Sequence, residues 1–251
     1  MNISPYFVQN DFISIRWYGL LIATAILVSY FLSLREIKKS NIKESKFDSI
    51  FLITALAGII GARLAFVLQN LSYYSSHFGE IFIIWDGGLS IHGAIILGVL
   101  ALLVSAKLYK VSFFSLANII SPYLLLSGAI GRWGNYFNQE IIGKPSNSFF
   151  KMFVPLENRP LGFENFIHFY PVFLFESILL FLAFIIYLLF KKKLEKCALV
   201  YTLIIYSAIR IIVEFWRIDY KPILFHLDLA QIVSFGIIIV GAVVGLTFRH
   251  K

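Results

Sequence analysis

The residues of this chain that could do chemistry are few and grouped. Arg210, Glu214 and Arg217 recur at offsets of four and seven, which puts all three on one helical face. Two guanidinium groups around one carboxylate can make an Arg–Glu–Arg brace between helices. They can equally make an anion site, in which Glu214 orients one arginine while the other donates to a phosphate. Upstream, Arg132 is followed by Asn135, Asn138, Glu140 and Gly143, with Gly128, Gly131 and Gly134 around it. His92 lies between Gly87-Gly88 and Gly93, and Arg63 follows Gly58 and Gly61. Glycine lets helices approach closely and tolerates positive φ where backbone N–H groups turn toward a ligand. An imidazole such as His92 exchanges protons near neutral pH. Its alternative reading is an interfacial histidine bonded to a carbonyl. Five scattered histidines and the single Cys197 give no metal-ligand spacing, and no nucleotide-binding glycine motif occurs. No metal and no cofactor are expected.

The elements that position these groups follow from composition. The chain has 251 residues, 59% hydrophobic and 14% charged, against about 25% charged in soluble domains. Its 17% aromatic content excludes disorder. The expected class is an all-α polytopic membrane protein, a single domain over 1–251. A spanning helix needs about 20 apolar residues, and seven such runs fall at 17–34, 50–68, 89–108, 113–130, 172–190, 198–215 and 229–248. The fourth is the weakest, because it holds Asn118 and Pro122. The first run has no basic residue before Gln9 and no small-residue cleavage site after it, so it is expected to persist as a helix.

Basic residues set the direction. Arg35, Lys38, Lys39, Lys43, Lys46, Lys107, Lys110, Lys191, Lys192, Lys193, Lys196, Arg249 and Lys251 put 13 of the 22 on one side, while the 69–88 loop has none. The net charge of +8 is therefore read as topology rather than as nucleic-acid binding. By the positive-inside rule the N-terminus faces out and the C-terminus faces the cytoplasm. The 140–169 stretch, rich in Pro, Asn and Phe, then forms a small extracytoplasmic cap.

On this topology Tyr18, Arg63, His92, Arg132, Asn135, Asn138, Glu176, Arg210, Glu214 and Gln231 all fall toward the outer leaflet. A charged group costs about 2.5–3.5 kcal/mol at a helix centre and less near its ends. Polar residues gather at interfaces in any case. That reading accounts poorly for the spacing of Arg210, Glu214 and Arg217 on one inward face. A small-anion channel or transporter could use the same arginines, but the inner halves show no polar pathway and no matched interrupted helices.

The run Gly131-Arg132-Trp133-Gly134-Asn135-Tyr136-Phe137-Asn138-Gln139-Glu140-Ile141-Ile142-Gly143 resembles the G-R-x-G-N-[FY]-x-N-x-E-x-x-G signature of prolipoprotein diacylglyceryl transferases, bacterial inner-membrane enzymes. Arg16-Trp17-Tyr18-Gly19, Gly61-Ala62-Arg63-Leu64, Gly87-Gly88-Leu89-Ser90-Ile91-His92-Gly93 and Arg210-Ile211-Ile212-Val213-Glu214-Phe215-Trp216-Arg217 resemble further motifs of that family, in order. The likeness runs from about residue 16 to 234. One segment departs from it. Where the family has His-Pro-[ST]-x-L-Tyr-Glu, this chain reads Tyr170-Pro171-Val172-Phe173-Leu174-Phe175-Glu176, so no role of that histidine is carried over.

The resemblance implies transfer of the diacylglyceryl group of phosphatidylglycerol to the lipobox cysteine thiol of a preprolipoprotein, with release of glycerol 1-phosphate. A non-catalytic lipid-binding relative is the alternative. Under this reading Arg132 and Arg210 grip the phosphate, Glu214 orients Arg210, and His92 is the candidate base. Tyr18, Asn135, Asn138 and Glu140 bind the glycerol head group or hold the arginines, Gly143 shapes the loop, and Arg63 and Arg217 complete the binding set. Cys197, beside the cytoplasmic lysines, is not the nucleophile.

Overall fold

In hydrocarbon no water can satisfy a backbone N–H or C=O, so long apolar runs must close their hydrogen bonds internally as helices. The computed structural model describes residues 4–10, 14–85, 87–218, 222–223 and 227–249, with side chains of the final helix described through residue 243. Its helices are α1 (Trp17–Ile37), α2 (Glu44–Gln69), α3 (Leu71–Tyr74), α4 (Ile91–Leu108), α5 (Phe113–Asn138), α6 (Val172–Leu189), α7 (Lys191–Leu194), α8 (Ala198–Glu214) and α9 (Leu229–Arg249). Among the described residues, six segments are long and apolar enough to cross a membrane: α1, α2, α4, α5, α6 and Lys191–Glu214. Helix α9 adds a shorter apolar stretch, Leu229–Val243. The protein is a mostly helical, multi-pass membrane protein. Arg249 and Lys251, counted above for orientation, lie outside the described side chains.

Helix α5 sits at the centre, packed against α1, α4, α6 and α8. Ser112 starts it by accepting from the Ser115 N–H at 3.3 Å. The expected end at residue 130 is corrected: the helix runs two further turns to Asn138. The polarity of Arg132, Asn135 and Asn138 suggested an exit from the bilayer. Arg132 and the two amide nitrogens instead find carboxylate partners, Glu176 and Glu140, within the protein. Pro122 is buried inside the helix without ending it. Asn118 works across helices: its side chain accepts from the Leu199 N–H at 2.8 Å and donates to the Lys196 carbonyl at 3.1 Å, fastening α5 to the start of α8. The lysine-bearing end of the bundle thus holds a polar contact inside it.

Two apolar cores hold the bundle. Tyr123, Leu125, Ala129, Leu180, Phe184, Ile209 and Val213 join α5, α6 and α8. Ile37, Phe47, Ile50, Ala106 and Leu116 join the opposite end of α1, α2, α4 and α5.

Short strands decorate one end. A hairpin of β1 (Tyr6–Gln9) and β2 (Ser14–Arg16) precedes α1, and nothing in the sequence reading anticipated it. Phe7 meets the Trp17 ring edge-on at 4.7 Å, and Trp17 stacks on Phe137 at 4.6 Å, which rests the hairpin on the end of α5. In the expected cap segment, β3 (Met152–Phe153) pairs with β4 (His168–Phe169). Bridges of Pro145 to Phe169 and of Gly143 to Arg217 extend this pairing. Ile142, Met152, Val154, Phe169 and Phe173 form a small core that seats the segment on the start of α6. Outside the bundle, the Gly162 N–H donates to the Glu164 carboxylate at 2.9 Å, and backbone donors hold that carboxyl below its usual pKa.

Helices α2 and α4 pair most closely where Gly61 faces Gly93. A Cβ on either glycine would collide with the carbonyl oxygen of the other, so this crossing is backbone against backbone. Gly58 differs, since a Cβ there would lie 3.6 Å from the Ala94 carbonyl oxygen, an ordinary contact. Gly93→Ala is therefore expected to destabilise the protein by roughly 1–3 kcal/mol through forced separation of the helices. Gly58→Ala is expected to be close to neutral. Unfolding of the two variants in detergent micelles measures the contrast.

Candidate functional site

The site is built on one buried carboxylate. Glu176 stands one turn into α6 with no solvent exposure. Its Oε1 accepts from Arg132 Nη2 of α5 at 2.6 Å, and its Oε2 accepts from Arg210 Nη1 of α8 at 3.4 Å. Arg210 Nη2 also pairs with Glu214 Oε2, one turn along α8. Glu214 Oε1 lies 3.4 Å from Arg217 Nε. The result is an alternating chain, Arg132–Glu176–Arg210–Glu214–Arg217, drawn from three helices and the turn after α8. The two expected phosphate ligands thus share one carboxylate.

Exposure along this chain is uneven. The side chain of Arg132 is 21% accessible and that of Arg210 11%, against 0% for Glu176. A guanidinium carries five N–H donors. Among the described residues Arg132 gives one hydrogen bond to protein, the bond to Glu176. Its remaining donors are open to an incoming anion.

The end of α5 folds back on the chain. Gln139 adopts the left-handed conformation, φ 56° and ψ 43°, that stops the helix, and Ile141 has φ 54°. Between them the Glu140 N–H donates to the Asn135 carbonyl at 2.9 Å. The Glu140 carboxylate accepts from Asn135 Nδ2 and Asn138 Nδ2, each at 3.2 Å. The amide oxygens Oδ1 of Asn135 and Asn138 are buried without a protein partner. A left-handed non-glycine backbone is costly and persists only where its surroundings fix it. Here Gln139 Oε1 accepts from Asn158 Nδ2 of the cap segment at 2.7 Å.

Gly143 links the turn to the ion chain. A Cβ there would meet the Trp216 carbonyl oxygen at 2.8 Å and Val172 Cγ2 at 2.9 Å. Its N–H donates to the Tyr170 carbonyl at 2.8 Å, and it bridges to Arg217. The last cation of the chain is therefore fixed by backbone pairing as well as by Glu214. Tyr18, at the start of α1, lays its ring on Gly134, where a Cβ would overlap it, and faces the charges of Arg132 and Glu140.

Two expected site residues are not members of this ion chain. Arg63 is 8% exposed and spends its donors on backbone. Its Nε donates to Ile81 O at 2.8 Å, its Nη1 to Gly87 O at 3.1 Å and Gly88 O at 3.0 Å, and its Nη2 to Glu80 O at 2.5 Å. Gly87 and Gly88, at φ 95° and 70°, turn their carbonyls into position. Arg63 thus pins the loop before α4 and lines a 450 Å³ hollow with Phe66, Tyr74 and Gly88. His92, on the first turn of α4, is exposed, and no hydrogen bond or ion pair joins it to the Arg–Glu chain among the described residues.

A family model described as prolipoprotein diacylglyceryl transferase matches residues 5–247. The chain belongs to that family. Curated relatives carry the name phosphatidylglycerol–prolipoprotein diacylglyceryl transferase. The one from Trichormus variabilis is 41% identical over 246 residues, 94% of this chain and 86% of the relative. That from Acaryochloris marina is 40% identical over 240 residues, 94% and 87% of the two chains. That from Thermotoga maritima is 38% identical over 244 residues, 95% and 83%.

Within this diacylglyceryl transferase family member, Glu176 is the residue that sequence reasoning left without a role. Its signal was present, as a carboxylate in an otherwise apolar span, but its partners on α5 and α8 become visible only in three dimensions. Glu176→Leu takes the shared buried acceptor from two partly buried guanidinium groups. Breaking a buried pair costs about 3–5 kcal/mol, so this variant should unfold in detergent at much lower denaturant than the parent. Glu176→Gln, which keeps the volume and one acceptor, should lose less.

Proposed function

We propose that this protein transfers the diacylglyceryl group of phosphatidylglycerol to the thiol of a lipobox cysteine in a preprolipoprotein signal peptide. The observation that carries the reading is the pairing of Arg132 and Arg210, from separate helices, on the fully buried carboxylate of Glu176. Names of relatives 37–41% identical to the chain agree with it. In the proposed step the cysteine thiolate attacks the glycerol carbon that bears the phosphate ester. A carbon–sulfur bond forms, the carbon–oxygen bond to phosphate breaks, and glycerol 1-phosphate leaves with the electron pair.

Each residue set has a task in that displacement. Negative charge grows on the departing phosphate, and preorganised cations in a water-poor site stabilise it. Arg132, with open donors, and Arg210, held by Glu176 and Glu214, meet that requirement. Glu176 fixes where the two planes stand, so the site need not reorganise as charge moves. The unpartnered Oδ1 atoms of Asn135 and Asn138 beside Glu140 are acceptors, and they suit the hydroxyl donors of a glycerol head group. A free thiol has a pKa near 8.5, so the attack needs a proton acceptor. His92, exposed and bound to no protein group among the described residues, is the proposed one. Arg63 supports this end of the bundle through the Phe78–Gly88 backbone rather than through substrate.

The proposed setting is the cytoplasmic membrane of a bacterium, with the N-terminus outside, the lysine-rich loops inside and the Arg–Glu chain toward the outer leaflet. Every chain element bearing a site group has it at the end opposite Lys38, Lys110 and Lys191. The 140–169 segment is then an extracytoplasmic cap of the one membrane domain.

Reconstitution with phosphatidylglycerol and a lipobox peptide tests the activity, and the expected product is the peptide heavier by one diacylglyceryl unit. Arg132→Ala and Arg210→Ala should each lower its formation about 10²–10³-fold, the usual effect of deleting a preorganised donor to a developing anion. Full activity in either variant would remove the phosphate clamp. For His92 the measurement is the pH profile. His92→Gln should lose the limb that reports imidazole ionisation, and an unchanged profile would exclude it as base.

A further inference from the structure

The cap segment carries a feature that neither its own core nor the Arg–Glu chain uses. Between the strand-like run 143–146 and β3, the backbone makes a short excursion whose tip is Phe149-Phe150. Phe149 is 93% exposed and Phe150 57%. The tip is not a loose loop. The Ser146 N–H donates to His168 O at 3.0 Å, and the Tyr170 N–H donates to Lys144 O at 3.1 Å. The Ser148 N–H donates to Ser146 Oγ at 3.1 Å. Two large apolar rings are therefore held outward on a fixed stem.

The rings continue a row of aromatic side chains at the ends of two apolar spans. Phe150 lies 6.5 Å from the ring of Phe175, one turn into the membrane helix α6. Phe175 lies 5.6 Å from Trp216, which is 50% exposed just past the end of α8. Phe149 packs edge-on against Phe150 at 5.2 Å and extends the row outward. Aromatic rings collect at the level where membrane helices meet the head groups. The tip is flanked by exposed Lys144 and Lys151, cations suited to the phosphates of that level.

We infer that the Phe149-Phe150 tip is a membrane anchor of the cap. Both rings enter the head-group and acyl boundary of the leaflet beside the α6 and α8 ends, and Lys144 and Lys151 contact the phosphates of anionic lipids there. The cap is thereby tethered at two places, by its core on α6 and by its tip in the bilayer.

The experiment uses the full chain in lipid nanodiscs. With Cys197→Ser as background, an environment-sensitive fluorophore is attached at Asn147→Cys, on the tip, or at Glu157→Cys, elsewhere on the cap. Nitroxide lipids labelled near the head group serve as quenchers. The label at 147 should be quenched at least about threefold more than the label at 157, as expected for a probe at the interface. Adding Phe149→Ser and Phe150→Ser should bring it down to the level of 157, with unchanged thermal unfolding as the control for folding. Equal quenching at 147 and 157 with both phenylalanines present would overturn the anchor. Replacing phosphatidylcholine with phosphatidylglycerol should deepen quenching at 147, and Lys144→Gln with Lys151→Gln should abolish that gain. No difference between the two lipids would remove the lysines from the proposal.

Discussion

A carboxylate with no access to water must be surrounded by donors or become neutral, and Glu176 meets that constraint by holding two guanidinium groups from two other helices. A buried ion pair of this kind adds little net stability, because desolvation cancels much of the attraction. Its value is geometric. Three helices that would otherwise slide on apolar faces have one register in which both arginines reach the same carboxylate. The alternation continues through Glu214 to Arg217, so the position of each cation is set by a neighbour on either side. At the ends, Arg217 is held by Glu214 and by its backbone bridge to Gly143, whereas Arg132 pairs with Glu176 at the more accessible end.

The same chain couples the membrane bundle to the cap. Arg217 pairs with Glu214 through its side chain and with Gly143 through its backbone. Gly143 in turn is paired to Tyr170, the residue that follows β4 of the cap. A second link runs from Gln139 to Asn158. Both links converge on residues 139–143, where two left-handed non-glycine residues point Glu140 back at Asn135 and Asn138. The backbone cost of that turn is met from the cap side, so the acceptor group and the cation chain are fixed by one connected piece of structure.

Much of this was legible in the sequence, and the parts that were not share a cause. The apolar runs located the helices, because hydrocarbon leaves the backbone no alternative. The offsets of Arg210, Glu214 and Arg217 placed them on one face, and Arg210–Glu214 pairs as that spacing required. What sequence spacing cannot state is which helix lies beside which. Glu176 was visible as a lone charge in α6, yet nothing local distinguishes a partner on α5 from one on α1. Arg63 resembled the other arginines in depth and glycine context, but its donors are consumed by four carbonyls of a loop about twenty residues away. The end of α5 was misjudged for a related reason: polar side chains signal an exit from the bilayer only when the protein offers them no partner. The β1–β2 hairpin and the cap strands are too short to leave a period in the sequence.

His92 and Arg63 show how far glycine context can be trusted as a sign of a site. Gly87 and Gly88 do turn with positive φ, as expected beside a ligand, but the ligand of their carbonyls is the protein's own Arg63. Gly93 and Gly61 do allow close approach, but what approaches is the facing helix. These features keep the first turn of α4 fixed relative to α2, and among the described residues the imidazole of His92 has no hydrogen-bond partner. The role proposed for His92, taking a proton from a visiting thiol, asks for a ring that is rigidly placed and free of competing partners. The α2–α4 crossing supplies the placement without occupying the ring, and that division of labour accounts for glycines and a histidine occurring together where no metal or nucleotide motif does.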